Sequence, residues 1–239
     1  MSKTVQAGIM VLGISLYSMP AAAQTKVQYM SRAWDLKTGK LAYIEKHTEF
    51  WAAKEHRRSQ IRYTWPDDRV FAVKNVNYTK GKSDPDFSLT DYRTGYQESA
   101  VKQGQSYTVS LREGKSQPVK TAKVTAASNM VVDAGFDYFI RQNFNALEQG
   151  RTLSLNFVAP ARQDAFAFRI FKTGTGQVNQ RPVLKLRLQL ANQVLRLLAE
   201  DIDVWYYTDT RQLYLYQGIS NINNADGKSY KVRIVFSYN

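Results

Sequence analysis

Leu184-Lys185-Leu186-Arg187-Leu188-Gln189-Leu190 alternates leucine with a charged or amide side chain at every step. Successive side chains of a strand point to opposite faces, so this spacing puts the leucines on a buried face and Lys185, Arg187 and Gln189 on a wet one. The same period of two recurs on both sides. Upstream it spans Leu41 to Trp51, Arg57 to Trp65, Arg69 to Tyr78, Asp91 to Ala100, Gln105 to Arg112, Thr152 to Val158 and Ala165 to Lys172. Downstream it covers Val194 to Ala199, Ile202 to Tyr207, Gln212 to Gln217 and Ser229 to Tyr238. Trp65-Pro66-Asp67-Asp68, Thr173-Gly174-Thr175-Gly176 and Asn223-Asn224-Ala225-Asp226-Gly227 supply turn chemistry between these runs. About ten strands with hairpin-length links predict an antiparallel up-and-down meander.

One stretch changes period. Between Ala134 and Glu148, Phe136, Phe139, Ile140, Phe144 and Leu147 fall three or four apart and share a helical face. Asp133 is placed as an N-cap and Gly150 as the glycine that ends the helix. A wide antiparallel sheet twists and must curl, close or split. The expected fold is therefore mainly β: a wide curled meander, or partly open barrel, wrapped around one main helix, with a sandwich as the competing form.

The chain has 239 residues, 44% hydrophobic and 22% charged, without cysteine. That composition is globular and excludes disulfides, thiolate chemistry and cysteine metal sites. Lys3, the apolar stretch Val5 to Tyr17, Pro20 and Ala21-Ala22-Ala23 read as a cleavable secretory signal over residues 1–23, cut after Ala23. Residues 24–239 then form a single domain with no second apolar segment able to span a membrane, and the expected location is the periplasm. The formal net charge is +13, of which the signal carries only Lys3. For an exported chain this basicity points away from nucleic acid and toward anionic lipid or another envelope component.

The segments Gly39-Lys40-Leu41-Ala42-Tyr43, Asp133-Ala134-Gly135-Phe136-Asp137-Tyr138-Phe139-Ile140-Arg141, Asp201-Ile202-Asp203-Val204 and Gly218-Ile219-Ser220-Asn221-Ile222 resemble a family of uncharacterised exported proteobacterial proteins. So do Glu45-Lys46-His47 and Arg196-Leu197-Leu198. The resemblance brings no activity and no catalytic residues. In architecture alone, the wide sheet, few helices and signal are similar to the LolA-type periplasmic lipoprotein carriers.

Among chemistry-bearing residues, Glu45, His47 and Glu49 share one strand face, a pattern able to orient a base or contribute to a metal site; the plainer reading is a polar outer face. His56 stands among Lys54, Arg57 and Arg58, whose charge opposes its protonation. Asp67-Asp68 reads as turn chemistry, and Asp203 as a strand residue facing away from Ile202 and Val204. Nucleophile-elbow, P-loop, dinucleotide and zinc-protease templates find no match. No catalytic residue, metal ligand or cofactor is therefore assigned. The aromatic inventory, 4 Trp, 15 Tyr and 11 Phe, either fills a core or lines an apolar groove. The candidate ligand-binding residues are Trp51 and Trp205 for the groove, with Arg141, Arg169 and Arg196 for an anionic head. The expected function is non-enzymatic binding of an amphipathic or anionic envelope component, lipid or acyl chain. The alternative is a scaffold that holds another envelope protein by a basic face or sheet edge.

Overall fold

A computed structural model describes residues 24–193 and 201–238. The signal segment, the expected strand from Val194 to Ala199, and Arg196 within it lie outside the described residues.

The described chain forms one sheet of 15 strands. Its first half runs β1 (Gln24–Asp35), β2 (Leu41–Ala52), β3 (Glu55–Thr64), β4 (Val70–Asn77), β5 (Asp86–Asp91), β6 (Tyr96–Gln103), β7 (Ser106–Arg112) and β8 (Lys120–Thr125). A short β9 (Met130–Val132) leads to the helices α1 (Gly135–Gln142) and α2 (Phe144–Glu148). The second half runs β10 (Leu153–Ala159), β11 (Asp164–Val178), β12 (Arg181–Leu190), β13 (Ile202–Tyr207), β14 (Leu213–Asn223) and β15 (Ser229–Tyr238). From the middle, where β1 pairs with β15, the order runs outward from β1 to β8 on one side and from β15 back to β9 on the other, so β8 and β9 are the two edges. All neighbours are antiparallel except β9 and β10, which are parallel.

The leucine run forms β12 with the expected faces. Leu184 and Leu186 are fully buried and Leu188 nearly so, while Arg187 and Gln189 point outward to pair with Asp203 and Asp201. Twist accumulates over so many strands, and the ends curl toward one another. The turn Pro160–Arg162 touches β6 and β7, and β8 touches β11. One apolar cluster fills the first half around Tyr43, Phe71, Val76, Leu89 and Val109, and takes in Val132 and Val158 from beyond the edge. The second packs Phe139, Ile140, Phe144 and Leu147 of the helices onto Leu155, Ile170, Leu184, Leu186 and Val204. The sheet thus wraps the helical segment, as the aromatic stripe predicts.

Several expected boundaries are corrected. The strand count rises because β1, β5, β8 and β9 are added; the expected strand from Asp91 to Ala100 holds only the end of β5, a turn closed at Gly95, whose φ is +77°, and the start of β6. Thr173-Gly174-Thr175-Gly176 is not a turn; it lies inside β11 at a bulge between Lys172 and Gly174. The real turn is Asn179-Gln180, both at positive φ, 48° and 63°, the two-residue geometry that matches strand twist. The helix is divided at Asn143, whose side-chain Nδ2 donates 2.8 Å to the Phe139 carbonyl and competes with the backbone ladder. Asp133 does not cap it. Its φ is +44°, the N-cap position is Ala134, and the Asp133 carboxylate is turned to Lys74 instead. Gly150, at φ +84°, ends the second piece as expected.

Candidate functional site

Between α1 and the concave faces of β1 to β4, β14 and β15 lies a cavity of about 400 Å³. The register explains its lining. Tyr29, Ser31 and Ala33 of β1 stand opposite His47, Glu45 and Tyr43 of β2, and all six face inward. Glu45, His47 and Glu49 therefore line the chamber rather than an outer face. Alternation alone defines two faces of β2, and the polar residues on the inner one concealed which way it points.

These inner groups form three connected clusters. In the first, Glu45 Oε2 accepts from Ser31 Oγ at 2.6 Å and lies 3.1 Å from His47 Nε2, while Tyr29 stacks on the imidazole with centroids 4.5 Å apart. Burial pushes the Glu45 carboxyl up, but His47, Ser31 and Lys74 outweigh it and the net shift is downward. A hydrolytic triad needs serine and carboxylate on opposite ring nitrogens. Here Ser31 and Glu45 both approach Nε2, so the trio is a hydrogen-bonded support and not a charge-relay geometry.

In the second cluster, Trp51 Nε1 donates 2.9 Å to Glu49 Oε2, and Tyr29 OH donates 3.3 Å to Oε1. Burial raises the Glu49 carboxyl against the lowering effect of those two donors. Trp51 also stacks on His56 at 4.8 Å. His56 is 4% exposed and shares hydrogen bonds with Tyr138 OH at 2.8 Å and Ser59 Oγ at 2.9 Å. Burial drives its pKa down to about 4; Lys82 and Arg141 push the same way, not the sequence neighbours Lys54, Arg57 and Arg58, of which Arg58 opposes the shift through its carbonyl.

The third cluster ties the helix to the sheet. Asp137 accepts from Tyr206 OH at 3.1 Å and pairs with Arg141 at 3.3 Å, one helical turn on. Burial nevertheless raises the Asp137 carboxyl. Deeper in, Lys74 Nζ meets Asp133 Oδ1 at 2.7 Å. Aromatic rings of Tyr78, Phe136, Phe157, Tyr216, Phe236 and Tyr238 fill the spaces between the clusters.

Of the residues expected to bind ligand, Trp51 and Arg141 line the chamber, and Arg141 keeps 41% of its side chain exposed, which puts it at the opening. Trp205 and Arg169 do not line it. Both lie on the outer face, Trp205 beneath Lys185 with Nζ 4.2 Å from the ring centroid, and Arg169 bonded through Nε to Gln189 Oε1 at 3.1 Å. They follow their strands: Trp205 stands opposite Lys185, and Arg169 alternates with the buried Ile170. Asp203 is likewise outside, paired with Arg187 at 2.7 Å. Tyr29 of β1 and Tyr138 of α1 are lining residues that the sequence does not single out; Glu49 belongs to the face shared by Glu45, His47 and Trp51, whose inward direction alternation alone does not give. Among the described residues, no group of three His, Asp or Glu is placed to hold a metal ion, and no helix is long and apolar enough to cross a membrane.

Fold and chamber together define an open, barrel-like protein of one curled sheet with a helix-lined concavity. No family model and no curated protein matches the sequence. Among solved structures it is similar to a beta-barrel-like protein of the domain of unknown function DUF1849 from Brucella abortus, with 9% identity and a TM-score of 0.45, over 92% of this chain and 98% of that one. It is also similar to a DUF1329 family protein from Desulfovibrio piger, with 11% identity and a TM-score of 0.25, over 91% and 85% of the two chains.

Proposed function

We propose that this chain is an exported periplasmic protein that holds an amphipathic envelope component, a lipid or acyl chain, inside its curled sheet, and that it binds without catalysing a reaction. One observation carries the reading: a chamber of about 400 Å³, walled by aromatic rings and open beside Arg141. That volume falls in the range of roughly 300–1,000 Å³ typical of small-molecule sites, and a mostly apolar lining with a few placed polar groups is their usual chemistry. The signal-like segment of residues 1–23 supports export, and the architecture suits a carrier of the LolA type.

Native mass spectrometry of the protein purified from its own envelope tests this. A carrier retains a co-purifying lipid or fatty-chain mass that leaves on collisional heating. A bare chain that instead retains a second protein would replace the carrier with the scaffold. The sheet edge offers that alternative little: β8 carries exposed Lys120 and Lys123, and charges on an edge strand discourage pairing with another chain.

A further inference from the structure

We infer that the head group received at the mouth of the chamber carries a cationic nitrogen, an inference that rests on the chamber being the binding site proposed above. Four carboxylates line the chamber: Glu45, Glu49, Asp133 and Asp137. Three already have a basic partner, His47 at 3.1 Å, Lys74 at 2.7 Å and Arg141 at 3.3 Å respectively. Glu49 has none among the described residues. Its oxygens accept only from the neutral Trp51 and Tyr29, which orient the carboxylate without balancing its charge.

The surroundings suit a cation. Trp51 and Tyr29, both bonded to Glu49, line the chamber, and ring faces attract ammonium groups within about 6 Å; Tyr138, over which Lys82 and Arg141 already lie, takes no part. A bound ammonium would complete the charge balance of the lining. An anionic head would meet the Glu49 carboxylate, which Arg141 offsets only from a distance, while the two lining cations, Lys74 and Arg141, are each paired with an acid. This sign is the reverse of the one suggested by the net charge of the whole chain, +13, most of which is carried elsewhere.

The test compares monomeric dodecyltrimethylammonium, dodecyl maltoside and dodecyl sulfate by calorimetry in one buffer, on the full mature chain and on Glu49→Gln. The expected result is that the trimethylammonium compound binds the wild-type protein about tenfold more tightly than the maltoside and more tightly than the sulfate, with the ratio falling to near one in Glu49→Gln. Surface attraction works against that order, because a basic exterior draws dodecyl sulfate. Equal affinities for the three heads, a preference for sulfate, or a ratio unchanged by Glu49→Gln overturns the inference while leaving chain binding intact. If Glu49→Gln does not give the wild-type circular dichroism spectrum, the order of the three heads on the wild-type protein decides alone. Maltosides of decyl, dodecyl and tetradecyl chains separate the two readings: no binding, or no dependence on chain length, removes the chamber as the site and the head-group inference with it.

Discussion

The ammonium of Lys74 on β4 lies 2.7 Å from the carboxylate of Asp133, 59 residues later, and both side chains are more than nine-tenths buried. The pair fastens the start of α1 to the concave face of the first half of the sheet. Burial lowers the affinity of Lys74 for its proton, but Asp133, Glu98 and Glu45 outweigh that and hold it charged. The chamber wall thus depends on a nearly buried ion pair.

Breaking that pair from one side is expected to be costly. Asp133→Asn leaves the Lys74 ammonium without its closest counter-charge and should destabilise the fold by about 3–5 kcal/mol in urea unfolding. Adding Lys74→Met to Asp133→Asn should recover part of the loss, because the unpaired ammonium is removed, while Glu98 and Glu45, which Lys74 also attracts, keep the recovery incomplete. Strictly additive single-variant effects would show that the two groups do not interact.

His56 supplies a pH prediction. Its folded pKa of about 4 lies below the ordinary 6.5, so as pH falls the unfolded chain takes up this proton first. The contribution of His56 to stability is complete above the ordinary value and is lost as pH falls toward the folded one, up to about 3 kcal/mol in all. Nuclear magnetic resonance titration of its ring protons should give a midpoint near 4. A midpoint at the ordinary imidazole value would mean that the Trp51–His56–Tyr138 stack is open to water.

The helix stripe was visible in the sequence and its consequence is measurable. Phe139 is 7% exposed and belongs to the cluster that joins both helices to β10 through β14. Phe139→Ala should cost about 3–5 kcal/mol, a large share of the stability of a domain. A loss under about 0.5 kcal/mol would mean that the helix is peripheral to the sheet.

What could be read from the residues depended on whether polarity and burial coincide. They coincide on β12, where leucines face in and Lys185, Arg187 and Gln189 face out, so strand, face and curled sheet followed directly. They do not coincide on β2, where Glu45 and Glu49 point inward and are held there by Ser31, His47, Trp51 and Tyr29; a reading that sends carboxylates to solvent reverses that face. Gly174 and Gly176 look like turn residues but accompany a bulge in a long strand, while the true turn at Asn179-Gln180 has no glycine to announce it. Asp133 has the side chain of an N-cap, yet the long-range attraction of Lys74 outweighs local capping, and no local pattern reveals a partner on another strand.

Trp51 and Trp205 offer a contrast between inside and outside. A ligand entering the chamber should shift the emission of Trp51, which lines it, and leave Trp205 under Lys185 unaffected. Trp51→Phe should therefore abolish the ligand-induced spectral change, and Trp205→Phe should retain it. The opposite pattern would place the ligand on the outer face.

The most direct test of chain binding is the affinity of alkyl maltosides, below micelle formation, as a function of chain length, followed through Trp51 emission. Burial of the chain predicts affinity that rises with every added methylene, by up to about 0.8 kcal/mol each, until the chamber is full, and that changes little with salt up to roughly 0.5 M. Affinity that is flat with chain length, or saturation that leaves the Trp51 emission unmoved, would contradict a ligand held inside the sheet.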